Sequence, residues 1–425
     1  MNHIDPVYKL SEGLYSSLKK AVKGILSDKE TRSLIKAIVI DILQEHGVAD
    51  VKSLARQNET IFGIDFGSVS SRVAYVDDAG EIVITKNFNG SSSTPSVVYF
   101  VDDVRAVVGY DARVKSVLEP ERTVSLVKRA LADDSAYEGA SKFYHGLNPT
   151  KISTYIFKKL IVEARDMLHH PELATRAVLT CPACFGTKER ERLREACEGA
   201  GIKVLAVINE PTATAMSYGI KADDEKTVLV YDLGGASFHV SVVRASEGFI
   251  SVIAAGGDRH IGGIDWDISL SEYLIERYNK KKDSLYKLDR DVRLKNAMLI
   301  LAEKVKKQLT FKPRTSMVVS PFLWGGEDDP VRMVVTREIF EGMTEHLLDE
   351  TIKKTHEILA DSREKGVGRI DEVLLAGGSA FMPQVKARID RELNCEARLE
   401  YPDECVARGA AIYAMQWCNY NPPSE

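Results

Sequence analysis

At 425 residues the chain is too long for one ordinary core and points to about three domains or one large bilobal unit. Lys and Arg total 57 against 62 Asp and Glu, a formal charge of −5, which argues against a broad electrostatic grip on nucleic acid or an anionic membrane. Hydrophobic residues at 44% and charged residues at 28% are ordinary globular values and exclude a disordered or fibrous chain. No run approaches the ~20 apolar residues of a membrane helix; Ala37 to Leu43 is the densest, and Asp41 interrupts it. Met1 to Leu10 carries His3 and Asp5 and lacks an apolar core, so no secretory signal is expected. Six cysteines in so long a chain do not make a disulfide framework. The expectation is a soluble cytoplasmic protein with neither nucleic acid nor membrane among its partners.

Residues 1–60 read as a small all-α extension. Val7, Leu10, Leu14, Leu18, Val22 and Ile25 recur every three or four residues, the stripe of an amphipathic helix. Ser27 followed by Glu30 is a capping-box signature for a second helix carrying Leu34, Ile35, Ile38, Val39, Ile42 and Leu43, with Gly47 placed to end it. This hairpin docks on the body of its own chain or offers a face to a protein partner; its apolar second helix permits a homodimer without demanding one.

From Ile61 the pattern turns to short strands: Ile61 to Phe66, Ser70 to Val76 and Glu81 to Lys86, and again Thr227 to Leu233, Ser237 to Arg244 and Gly248 to Ala254. Helices are predicted over Ile152 to Leu168, Lys188 to Gly199, Ile264 to Lys280, Asp289 to Leu309 and Arg337 to Ala360. This alternation indicates α/β layers. Ile64-Asp65-Phe66-Gly67-Ser68 with Ser70 parallels Tyr231-Asp232-Leu233-Gly234-Gly235 with Ser237, 167 residues on. In each copy an apolar strand delivers an Asp, then a Gly turn, then a second strand. A duplicated α/β domain with a cleft between the copies explains this, with lobes at 61–225 and 226–418 and a tail at 419–425.

Each turn suits a phosphate, because glycine admits close backbone approach and the amides with Ser68 or Ser237 present donors. Asp65 and Asp232, at their strand ends, can hold Mg²⁺ mainly through water. A third strand, Asp371 to Ala376, runs into Gly377-Gly378-Ser379 before a helix near Pro383, an arrangement suited to the sugar or α-phosphate side of a nucleotide. Gly262-Gly263 reads as a further flexible loop near the same cleft. Cys181-Pro-Ala-Cys184 spells a redox motif but lacks a second pair, and reads as small reduced core residues.

Asp65-Phe66-Gly67, Asn209-Glu210-Pro211-Thr212-Ala213, Asp232-Leu233-Gly234-Gly235, Gly377-Gly378-Ser379 and Pro402-Asp403-Glu404 occur in the order of the 70-kDa heat-shock chaperone family. The resemblance covers Ile61 to Trp417, the actin-like, two-lobed, ribonuclease-H-like nucleotide-binding domain of that family; residues 1–60 have no counterpart there, and the family would continue past this point into a linker and a substrate-binding domain. It implies ATP or ADP with Mg²⁺ as ligands. Asp65, Gly67, Ser68 and Val69 would form one phosphate loop, and Asp232, Gly234, Gly235, Ala236 and Ser237 the other. Lys128 matches a catalytic lysine and Glu210 a cleft glutamate of the metal–water network, so Asp65, Lys128, Glu210 and Asp232 form the expected catalytic set. Glu303, Lys306, Lys307 and Thr310, spaced by three and four residues along one helical face, would grip the adenosine with Gly377, Gly378, Ser379, Phe381 and Asp403. Gly262 and Gly263 complete the set.

This chain departs from the family at several of these positions. His239 stands where the family has an Asp, Ala236 where it has a Gly, Ile264 where it has a Glu and Phe381 where it has an Arg. Ala206 replaces an Arg used with J-domain partners, which argues against stimulation by them. Two functions follow: a slow Mg²⁺-dependent ATPase whose nucleotide state sets lobe closure, or a non-hydrolysing nucleotide-gated scaffold working through the N-terminal helices.

Overall fold

The computed structural model describes residues 60–77, 79–102, 105–132, 147–168 and 171–420. The chain divides into two units, Met1–Glu59 and Thr60–Glu425. The helical extension expected over residues 1–60 lies outside the described residues apart from Thr60, and so does the end of the tail. Among the described residues no helix is long and apolar enough to cross a membrane.

The first half opens with β1 (Ile61–Asp65), β2 (Ser70–Val76) and β3 (Ile82–Ile84), followed by the short strands β4 (Thr94–Pro95), β5 (Val98–Phe100) and β6 (Ala106–Val108). Helix α1 (Tyr110–Leu118), strand β7 (Thr123–Val124), α2 (Val127–Ala132) and α3 (Pro149–Asp166) follow. Then come β8 (Arg176–Cys181), α4 (Thr187–Glu198), β9 (Lys203–Asn209) and α5 (Glu210–Ser217). The second half contains β10 (Lys226–Leu233), β11 (Phe238–Ser246), β12 (Phe249–Asp258), α6 (Gly263–Lys282) and α7 (Val292–Phe311). A hairpin of β13 (Arg314–Val319) and β14 (Val331–Thr336) leads to α8 (Arg337–Glu364), β15 (Glu372–Ala376), α9 (Pro383–Leu393) and α10 (Cys405–Tyr420).

Two sheets organise these elements. One has the order β3-β2-β1-β8-β9, the other β12-β11-β10-β15. In each, a central strand pairs antiparallel with the strand that follows it and parallel with a later one: β1 with β2 and β8, β10 with β11 and β15. The duplication extends to register, since Asp65 lies opposite Arg72 and Asp232 opposite His239. β1 and β8 are almost continuously buried, as strands covered on both faces require.

Each sheet has its own core. Phe62, Ile64 and Phe66 pack with α3, where Phe66 stacks on Phe157 at 4.7 Å between centroids. Tyr231, Leu233 and Phe238 pack with Trp266 and Tyr278 of α6. A third cluster joins the sheets, with Ile61, Val178 and Ile208 from the first, Val228, Val230 and Leu374 from the second, and Val406, Ala410 and Ala414 of α10. The C-terminal helix α10 packs on β1, β2, β8 and α5, so the chain returns to the first sheet after completing the second. The helix expected from Asp289 begins at Val292, because the Asp291 side chain accepts from the Arg293 and Leu294 amides at 2.9 and 3.1 Å and caps it.

Candidate functional site

The turns after β1 and β10 meet. A Cβ on Gly235 would lie 2.8 Å from the Cβ of Val69, so the second turn rests against the first and only glycine fits there. The first turn is stapled by serines: the Gly67 amide donates to Ser71 Oγ at 3.2 Å, Ser96 Oγ donates to the Gly67 carbonyl at 2.8 Å, and the two hydroxyls lie 2.9 Å apart. The second turn is closed by the Gly234 amide on the Ser237 carbonyl at 3.0 Å. It is held from outside by the Gly263 and Ile264 amides, which donate to the Gly234 and Gly235 carbonyls at 3.0 and 2.8 Å. Ser379 Oγ adds a bond to the Gly234 carbonyl at 2.9 Å.

These turns form the floor of a cleft of about 790 Å³, lined by every expected site residue except Gly262 and Gly263. Those two glycines pack against neighbouring backbone and side chains. A Cβ on Gly262 would lie 2.5 Å from the Ala236 carbonyl carbon, and one on Gly263 would lie 2.2 Å from Ser379 Oγ. This glycine pair buttresses the second turn from behind rather than forming a free loop.

A charged centre lies beside the turns. Lys128 Nζ donates to Glu210 Oε1 at 2.6 Å, with each side chain 8% exposed. Leu126, just ahead of α2, adopts a left-handed φ of 58°, a strained conformation for leucine at the entry to the helix that carries Lys128. Burial works against the Lys128 ammonium, but Glu210 and Asp65 outweigh it and hold its pKa above the ordinary lysine value. Burial pushes Asp65 up to about 6, opposed by Lys128 and reinforced by Glu210. Asp232 rises to about 8, through burial first and then the Glu210 and Asp65 carboxylates. Burial also holds the His239 imidazole below its ordinary range, so it is neutral at pH 7. Three carboxyl groups therefore face one ammonium and a neutral ring, and the upward shifts of Asp65 and Asp232 are those of a site short of positive charge, which fits a divalent cation.

The opposite wall is α7. Glu303 is ion-paired with Arg113 of α1, and with Lys307 at 2.8 Å. Burial opposes the Glu303 carboxylate, but Arg113 and Lys307 together pull it down to about 2. Lys306 does not reach freely into the cleft: its Nζ donates to Asp267 Oδ2 at 2.9 Å and to the Gly263 carbonyl at 2.6 Å, tying α7 to α6. Phe381, Gly378 and Asp403 form the far end, where Asp403 accepts from Arg72 at 2.8 Å. Gly377, at φ 82°, could bear no side chain, since a Cβ would lie 2.2 Å from the Leu233 carbonyl oxygen.

Arg72, Arg113, Arg129 and Asp267 were not among the expected site residues. Arg129 donates to the Ala236 carbonyl, joining α2 to the second turn. Each of these residues acts across a sequence separation that no local pattern discloses; only the register equivalence of Arg72 and His239 could have pointed to the first. Among the described residues Cys181, Cys184, Cys197, Cys395 and Cys405 are free, and burial pushes the Cys181 thiol up to about 12. The expectation of core residues holds for Cys181, but Cys184 is exposed.

Comparison with known proteins agrees with the motif reading. The Hsp70 protein family model matches residues 61–417. The chaperone protein DnaK of Thermotoga petrophila is 37% identical over 370 residues, covering 85% of this chain and 60% of the relative; that of Thermotoga maritima matches equally. DnaK of Thermosipho africanus is 35% identical over 367 residues with the same coverage. The chain thus spans about 60% of the length of these curated relatives. With two sheets of duplicated pattern around one cleft and a family match over nearly all the described residues, the chain belongs to the Hsp70 family and has its actin-like, two-lobed α/β ATPase-domain fold.

Proposed function

We propose that the cleft binds ATP and ADP with Mg²⁺, that it hydrolyses ATP slowly, and that the bound nucleotide sets the closure of lobes formed by residues 61–225 and 226–418. The observation that carries this reading is the meeting of two glycine turns beside a buried Lys128–Glu210 pair and two carboxylates in one cleft. Amides and hydroxyls of Gly67 to Val69 and Gly234 to Ser237 receive the phosphates. Asp65 and Asp232 would hold Mg²⁺, which would supply charge neutralisation at the phosphates. Glu210 fixes the Lys128 ammonium, which neutralises charge developing on the transferred phosphoryl group and positions the attacking water. Such catalysis is positioning and electrostatics, and the groups present suffice for low turnover.

At the far end Phe381 stacks on adenine, while on the opposite wall Glu303, Lys307 and Thr310 border the adenosine. Lys306 acts at one remove, through its pair with Asp267. A protein partner, engaged through residues 1–60, reads the closure of the lobes. Single-turnover hydrolysis with Mg²⁺, run beside calorimetric nucleotide titration, tests the proposal: binding with slow cleavage is expected, and absence of nucleotide binding overturns it. A second reading, a nucleotide-gated scaffold without hydrolysis, is favoured by the neutral His239 beside Asp232; tight binding without cleavage would select it.

A further inference from the structure

His239 lies directly across from Asp232 in the β10–β11 ladder, so the two side chains leave the same face of the sheet. Glu210, at the start of α5, reaches the same point. One donor atom from each of the three lies within 4.8 Å of the others. Donors on one tetrahedral ion with bonds of about 2.0–2.2 Å lie roughly 3.3–3.6 Å apart, so side-chain movement of no more than about 1.5 Å closes the set. The three residues line both the main cleft and a smaller cavity behind it, of about 10 Å³, which Pro182, Cys184 and Ala255 complete. That volume is of the order of a single small occupant. Lys128 takes one Glu210 oxygen, Oε1, and leaves the other free. No side-chain hydrogen bond engages Asp232 or His239 among the described residues.

We infer that Glu210, Asp232 and His239 form a direct binding site for a first-row transition divalent cation, of which Zn²⁺ is the type, in preference to Mg²⁺. The inference deepens the proposed function and rests on it for the use of a divalent cation in this cleft. The chemistry is in the donor set. A neutral imidazole with two carboxylates suits borderline cations, whereas Mg²⁺ prefers oxygen donors and retains its waters. An aspartate at position 239 would make the set all-oxygen and return the advantage to Mg²⁺. His239 thereby sets which metal the cleft selects.

Co²⁺ serves as the spectroscopic probe, titrated without nucleotide into the full chain and into His239→Ala and His239→Asp, with Zn²⁺ and Mg²⁺ titrated by calorimetry in parallel. The wild type is expected to bind Co²⁺ and Zn²⁺ at least tenfold tighter than Mg²⁺ and to show a hyperfine-shifted imidazole N–H proton. His239→Ala should lose that proton and weaken Co²⁺ binding tenfold or more. His239→Asp should lose the proton and shift the Co²⁺-to-Mg²⁺ ratio towards Mg²⁺. An equal ratio in all three proteins, or no shifted imidazole proton in the wild type, overturns the inference. So does a cobalt–thiolate charge-transfer band in its place, which would move the site to the exposed Cys184. Nucleotide titration on the same samples separates the two claims: normal ADP binding with no imidazole signal defeats the metal assignment alone, while an imidazole signal without nucleotide binding defeats the proposed function alone.

Discussion

Lys128 and Glu210 form a buried ion pair, and neither can be removed without leaving the other's charge uncompensated. In the proposed mechanism Lys128 contributes at the transition state more than at the ground state. Lys128→Ala is therefore expected to lower single-turnover hydrolysis by about 10²-fold or more while nucleotide affinity changes by less than about tenfold. Equal losses in both measurements would remove the lysine from the chemical step. Gly235 offers a second residue-scale test, because its backbone lies against Val69. Gly235→Ala should separate the two turns and weaken calorimetric ADP binding by about 1–3 kcal/mol, the usual cost of overpacking. Adding Val69→Gly, which removes the clashing Cβ, should recover most of that loss. Lack of rescue would mean that the turns are not coupled through this contact.

At the scale of elements, the closest approach is between backbones. Gly409 of α10 faces α5, where an added Cβ would lie 1.8 Å from the Ala213 carbonyl oxygen. Gly63 of β1 faces α10, with Ala411 N at 2.3 Å from the position of its Cβ. Both obstacles are main chain and cannot rotate away. Gly409→Ala should cost at least 1–3 kcal/mol in urea unfolding, and the damage should reach Glu210 because α5 carries it. These glycines attract no notice in the sequence, where neither stands in a turn motif; helix against strand and helix is what makes them necessary. By contrast, the turns at Asp65 to Ser70 and Asp232 to Ser237 were legible, since apolar strand, Asp, Gly and polar residue recur within a few positions and state their own geometry.

Across the whole molecule, contacts far apart in sequence tie the two sides of the cleft together: Arg113 of α1 with Glu303 of α7, the Asn296 side chain with the Ser116 carbonyl at 2.7 Å, and Arg129 with Ala236. Arg113→Ala should loosen closure, with a larger radius of gyration by small-angle scattering in the ADP state and faster ADP release. An unchanged scattering profile would show that the pair does not hold the halves together. Glu303 gives this contact a pH signature. Its pKa falls from an ordinary 4.5 to about 2 in the folded protein, so its stabilisation is complete above pH 4.5 and is lost as pH falls towards 2. The stability gap between wild type and Glu303→Gln should be constant at neutral pH, up to about 3 kcal/mol, and close on acidification. A gap independent of pH would refute the assignment.

Local periodicity was enough to place the two strand triplets, the strand before Gly377, five helices, the internal repeat and the glycine turns, because each is written within a few consecutive residues. Family motifs then named somewhat under half of the cleft lining. What local patterns could not disclose was the set of partners. Lys128 meets Glu210 across 82 residues, Arg113 meets Glu303 across 190 and Arg72 meets Asp403 across 331. The turn-buttressing place of Gly262 and Gly263, the commitment of Lys306 to Asp267, and the return of α10 to the first sheet belong to the same class. Their geometry is decided by how finished elements pack, and packing sums many weak contacts along the chain rather than reading any one segment.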